Sequence, residues 1–158
     1  MHILNGTDEV RAAVGTHLGY SDYRVVTQDD IDRFAELTGD DQWIHVDVER
    51  AGAGPFGGTI AHGLLTLSLG PFLARTLYRI EGMAMGVNYG YDKIRFPAPV
   101  PVNSKIRLGA TVSSVEDVQG GSGGIQVGLT FVWELEGGTK PACVAEMLLR
   151  YSGEAPAR

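Results

Sequence analysis

The chain has 158 residues, 44% of them hydrophobic and 20% charged, which suits one globular domain with a sizeable core and leaves no room for two of ordinary size. A net charge of −6 without any cluster of Lys or Arg argues against a nucleic-acid surface. The single cysteine, Cys143, excludes an internal disulfide and a Cys-rich metal site, and the opening MHILNGTDEV lacks both the basic and the apolar stretch of a signal peptide, so a cytoplasmic protein with no membrane span is expected.

In chain order, residues 6–14 read as a short amphipathic helix, with Thr7 as its N-cap and Glu9 in its first turn. Residues 23–26 are a strand candidate. The stretch TQDDIDRFAELTGD then pairs Thr27 with Asp30 as a capping box, sets Ile31, Phe34, Ala35 and Leu37/Thr38 on one helical face, and stops at Gly39. Asp40 therefore follows a helix C-terminus, whose negative dipole end gives an acid no support. That points to retention for another purpose, although Asp is equally a common loop residue.

The segment 38–63, TGDDQWIHVDVERAGAGPFGGTIAHG, is too rich in Gly and helix-ending signals for regular structure. Trp43 and Ile44 are apolar anchors within it, and Asp47 caps a short turn through Arg50 and Ala51. A loop of that length in a compact domain is usually functional. It runs into HGLLTLSLGPFLARTLYRI, residues 62–80, which is apolar nearly all round and predicts a buried helix opening at Gly63. Gly70-Pro71 must bend that helix, and Arg75 and Arg79 fall in its last turn.

Asp40 and His45, five residues apart, thus lie near a helix N-terminus whose unpaired N–H groups can meet a developing negative charge. Acid/base chemistry beside a carbonyl needs that combination. Spacing alone does not separate Asp40 from its neighbour Asp41, nor a reactive His45 from a structural one. No two of His2, His17, His45 and His62 have chelating spacing, so no metal is expected.

Beyond Gly82 the pattern is that of antiparallel sheet. Residues 85–96, 104–115, 125–135 and 141–151 alternate as four strands in meander order, joined by PAPVPVNS, the hairpin loop QGGSGG and EGGTK, with SGEAPAR as a frayed tail. An α+β fold follows, a curved sheet wrapped around one central helix. Cys143 reads as a small buried hydrophobe in the last strand. Tyr89, Tyr91 and Asp92 alternate along the first of these strands and face either a pocket or the sheet surface. Lys93 and Arg95 either meet coenzyme phosphates or form a solvated strand face.

Three separated motifs, FAELTGDDQWIHVD, GTIAHGLLTLSL and YDKIRFPAPVPVNSKIR, resemble in order and spacing the MaoC-like dehydratases, the hot-dog-fold family of the R-specific enoyl-CoA hydratases and nodulation-protein-N-like members. The similarity spans residues 20–151 and implies a single hot-dog domain over 1–158. It implies reversible hydration of trans-2-enoyl-CoA to the (R)-3-hydroxyacyl-CoA, with Asp40 and His45 as the acid/base pair and the Gly63 backbone N–H as oxyanion donor. His62, Tyr89, Tyr91 and Arg95 are the substrate-binding candidates, His62 as a residue that positions the loop at the helix start.

No cofactor is implied beyond the coenzyme A carried by the substrate, and a homodimer is the expected assembly. The chain departs from the family pattern at Gln42-Trp43, where many members carry Asn-Pro, and at Pro71, where some carry a small hydroxyl residue. Both changes leave the acid/base pair intact and bear on the shape of the acyl pocket. A hot-dog thioesterase and a catalytically silent acyl-binding subunit are the alternatives. The acyl-carrier-protein dehydratases that place an acid on the central helix are not matched, since Gly63 to Ile80 contains none.

Overall fold

Four long strands dominate the molecule, and the three over 105–117, 125–135 and 141–154 bury inward residues against one common apolar body. In the computed structural model, which describes residues 1–119 and 124–154, the elements are β1 His2–Asn5, α1 Gly6–Ala12, β2 His17–Tyr20, β3 Arg24–Val25, α2 Gln28–Thr38, α3 Trp43–Val46 and α4 Val48–Gly52. There follow α5 Gly63–Ser68, α6 Gly70–Ala74, β4 Tyr78–Glu81, β5 Met83–Arg95, β6 Lys105–Asp117, β7 Ile125–Leu135 and β8 Pro141–Glu154.

The main sheet runs β2-β6-β7-β8-β5, with β3 also paired to β6, and every pairing in it is antiparallel. This corrects the meander expected from sequence. β5 does not pair with its successor β6; it crosses to the far edge and pairs with β8, Gly86 opposite Tyr151 and Ile94 opposite Ala145. Alternating patterns of similar length are interchangeable as partners, so only the packed whole decides which strands meet. β1 and β4 form a separate parallel pair, His2 opposite Tyr78.

The concave face is lined by Val127, Leu129, Phe131 and Trp133 of β7 beside Ala145, Met147 and Leu149 of β8, all buried. The central helix lies on it as two pieces, α5 and α6, interrupted at Leu69 because Pro71 has no N–H to give and clashes with the preceding turn. Leu65, Leu67, Leu73 and Ala74 belong to the same core, and each buried leucine contributes about 1.5–3 kcal/mol relative to exposure. This is the hot-dog arrangement.

Several local expectations change. The helix ends at Ala74 rather than running to Ile80, so Arg79 sits on β4 and not in a last helical turn. α1 is capped through Asn5, whose backbone N–H donates to Glu9 Oε2 at 2.7 Å, and not by Thr7. Leu37 is 83% exposed, so only Ile31, Ala35 and part of Phe34 anchor α2. Ser152, Gly153 and Glu154, read as tail, continue β8. The QGGSGG loop and the last four residues fall largely outside the described residues. Among those described, no helix is long and apolar enough to cross a membrane.

Candidate active site

The α2 helix sets one side of the site. Its N-terminus is fixed by the reciprocal Thr27/Asp30 capping box, and its C-terminus by Gly39 in the left-handed region at φ 74°. The chain turns sharply there and presents Asp40, exposed, at the start of the loop. Burial works to raise the Asp30 carboxyl, but the Thr27 N–H and the Arg24 guanidinium, 2.7 Å away, outweigh it and hold the group below the usual carboxylate range.

His45 lies in the single turn α3 and is 7% exposed. Its Nδ1 is 2.7 Å from the Ile60 carbonyl oxygen. A carbonyl only accepts, so Nδ1 carries the hydrogen, and in the neutral ring Nε2 is left as a bare acceptor. The backbone is held from the other side by Gln28. Gln28 Nε2 donates to the His45 carbonyl at 2.8 Å, while Gln28 Oε1 accepts from the buried Thr59 hydroxyl at 2.5 Å. One amide thus ties α2, α3 and the segment leading into α5 together.

His62, the residue before α5, is 2% exposed. Its ring stacks on that of His45 with centroids 3.8 Å apart and planes 25° from parallel. Its Nε2–H donates to the Asp40 backbone carbonyl at 2.8 Å, while Nδ1 is buried with no partner among the described residues. A carboxylate oxygen of Asp40 and ring nitrogens of His45 and His62 consequently lie within 4.8 Å of one another. Spacing suggested no histidine pair; the fold brings together two that are seventeen positions apart. The lone pairs of two nearly parallel rings run side by side and do not converge on one ion, so the arrangement suits proton chemistry better than chelation.

Beside this cluster a pocket of about 310 Å³ opens between α5 and the sheet, lined by His45, Gly63, Thr66, Phe96, Val100 and Ala142 among others. Its far wall comes from the proline-rich turn, drawn in by Ala61 N–H to Val100 O at 2.8 Å and Val102 N–H to Thr59 O at 2.9 Å. A Cβ at Gly63 would meet the Phe96 ring at 3.0 Å. The glycine therefore spares the partly exposed Phe96 ring a shift and leaves open the backbone amide, which as the first helical N–H has no intrahelical acceptor.

Phe96, Gln28 and Thr59 were not singled out from sequence. Phe96 stands at the end of the KIRF motif, and Gln28 directly follows a recognisable cap; those are the signals each offered.

The other candidates stand apart from the pocket. Tyr89 is 54% exposed on β5 with the Arg150 guanidinium 3.3 Å from its ring centre. Tyr91 is half-buried, its phenol pushed up by burial and by the Cys143 thiol. Arg95 is exposed and donates to the Ile94 carbonyl at 2.7 Å. Cys143 is fully buried, as expected, and burial pushes its thiol up to about 12.

Residues 9–130 match the family model described as MaoC like domain. The 3-hydroxyacyl-thioester dehydratase Z of Mycobacterium tuberculosis is 48% identical over 151 residues, covering 96% of this chain and 99% of the relative. Nodulation protein N of Rhizobium leguminosarum bv. viciae is 47% identical over 109 residues, 68% of this chain and 67% of its own length. Among solved structures, the (R)-hydratase from A. caviae involved in PHA biosynthesis shares the fold, with a TM-score of 0.68 at 22% identity over 86% of this chain and 94% of that one.

Proposed function

Because the chain belongs to the MaoC-like family and is an enzyme of its hydratase and dehydratase class, we propose that it reversibly hydrates trans-2-enoyl-CoA to (R)-3-hydroxyacyl-CoA. The observation that carries this reading is the meeting of the Asp40 carboxylate with the His45 ring within 4.8 Å, at the mouth of a pocket that Gly63 also lines.

Adding water to C3 of an enoyl thioester needs a group to take a proton from water, a source of a proton for C2, and a donor for the charge that builds on the thioester oxygen. The bare Nε2 of His45 and the Asp40 carboxylate each accept a hydrogen from one water. As the water oxygen bonds to C3, the π electrons move toward C2 and the thioester oxygen, and His45 takes the proton. An ionised carboxylate has none to give, so the imidazolium returns one to C2 and the pair ends as it began. The Gly63 N–H stabilises the oxyanion, an interaction worth about 3 kcal/mol of barrier at comparable sites. Dehydration is the same path reversed.

In this reading the protein is a cytoplasmic homodimer. β5 ends the main sheet and leaves Met85, Val87 and Tyr89 exposed along one edge, and an apolar unpaired edge of that length calls for a partner strand.

Loss of enoyl-thioester absorbance on crotonyl-CoA, followed beside thiol release with a thiol reagent, tests the reaction. The buried, weakly acidic Cys143 does not consume that reagent in the folded protein. Hydration without thiol release is expected. Thiol release alone would make the protein a thioesterase, and binding without either reaction a silent subunit. Asp40→Asn and His45→Gln should each fold normally and lose about a hundredfold or more in kcat; wild-type turnover in either removes that residue from the mechanism.

A further inference from the structure

The groove between the central helix and the sheet holds two cavities, not one. The His45 pocket of about 310 Å³ is lined by Gly63 and Thr66 of the helix and Ala142 of β8. A second, of about 380 Å³, has Pro71 and Ala74 of the helix, Phe131 of β7, and Met147 and Leu149 of β8 on its apolar side, and Arg75, Arg79 and Asn88 on its polar side. Along each of the three elements the same level separates them. On the helix it is Gly70, midway between Thr66 and Ala74 on one face. On the sheet it is Trp133 and its cross-strand partner Cys143.

Gly70 and Trp133 meet there without spare room. A Cβ on Gly70 would lie 2.6 Å from Trp133 Cζ2, so no side chain fits under the indole. Gly70 opens α6, and the missing side chain falls where the indole presses on the backbone. Trp133 is 0% exposed and its Nε1 has no partner among the described residues. An indole with an orphaned donor is a costly way to fill a core that phenylalanine would fill without one. What the indole adds is reach across the groove.

We propose that Trp133, seated on Gly70, is the internal stop that ends the acyl site and confines the enzyme to short-chain 2-enoyl thioesters, an inference that rests on the hydration reading above. An acyl chain that enters past Gly63 and Thr66 and follows the helix comes to the Gly70–Trp133 contact before the second cavity, whose walls carry Arg75, Arg79 and Asn88 beside their apolar residues. A longer chain fits only by displacing a packed core residue.

Binding and turnover are both read, with saturated butyryl-CoA and decanoyl-CoA in calorimetry, and crotonyl-CoA and trans-2-decenoyl-CoA in the hydration assay. The wild-type protein should gain no affinity from the longer chain and should favour crotonyl-CoA in kcat/KM by about tenfold or more. Trp133→Leu, checked by thermal melting, should bind decanoyl-CoA about tenfold tighter and reverse the preference. Should that variant not fold, Trp133→Phe keeps the core filled while withdrawing the outer ring, and must shift both ratios the same way. The stop is overturned if the wild type already binds and hydrates the long chain as well as the short, or if a folded variant leaves the ratios unchanged. Absence of hydration with the chain-length dependence of binding intact would sink the hydration reading and leave the stop standing.

Discussion

His62 lies face to face with His45, ring centroids 3.8 Å apart, and with the edge of the same ring holds the backbone carbonyl of Asp40 at 2.8 Å. One buried side chain thus sets the spacing of both members of the acid/base pair. Replacing it with phenylalanine keeps the stacked surface and removes the donor. His62→Phe should fold, raise KM little, and lower kcat by about ten- to a hundredfold, the scale of a small misplacement at a reacting centre. Steady-state hydration kinetics beside a thermal melt check this; an unchanged kcat would reduce His62 to core filling.

Gln28 is the second positioning residue. Gln28→Ala leaves the His45 carbonyl and the buried Thr59 hydroxyl without their partners, costing about 1–3 kcal/mol for a buried unpaired group. Urea unfolding should show that loss, and kcat should fall with it. Gln28→Glu keeps the acceptor for Thr59 but turns a carboxylate toward the His45 carbonyl and the Asp32 carboxylate, both of which the Gln28 Nε2 meets at 2.8 Å, so it should restore neither stability nor rate.

Acid stability should depend on Asp30. Its folded-state carboxyl is held below the ordinary range by the Thr27 N–H and Arg24 against the opposing effect of burial. A depressed carboxyl contributes stability that is present above its unfolded value of about 3.9 and lost as pH falls through the folded one. Asp30→Asn should therefore be about 1 kcal/mol less stable at neutral pH, the scale of a lost cap. The gap between variant and wild type should close below about pH 4. Melts across that range decide it, and a gap that persists in acid would mean that packing, not charge, carries the contribution.

Assembly should depend on the free edge of β5. Val87 and Tyr89 are 43% and 54% exposed there, and charges on an edge strand block strand addition. Val87→Lys combined with Tyr89→Lys should convert a dimer to a monomer in light scattering after size exclusion. A double variant with the wild-type mass would place the interface elsewhere.

The sequence alone carried the elements whose causes are local. The Thr27/Asp30 box, the stop at Gly39, the break at Gly70-Pro71 and the existence of the strands β5 to β8 depend on residues within a few positions of one another, and all are present, although β5 buries no residue and does not alternate. The spacing of Asp40 and His45 was also legible. It could not show that they meet, because that depends on His62 and on the Ile60 carbonyl, which reach His45 only once the loop has closed. The pairing of β5 with β8, the Gln28 bridge and the seating of Trp133 on Gly70 are long-range contacts. Their sequence partners carry no mutual periodicity, and only close packing of the whole chain selects them.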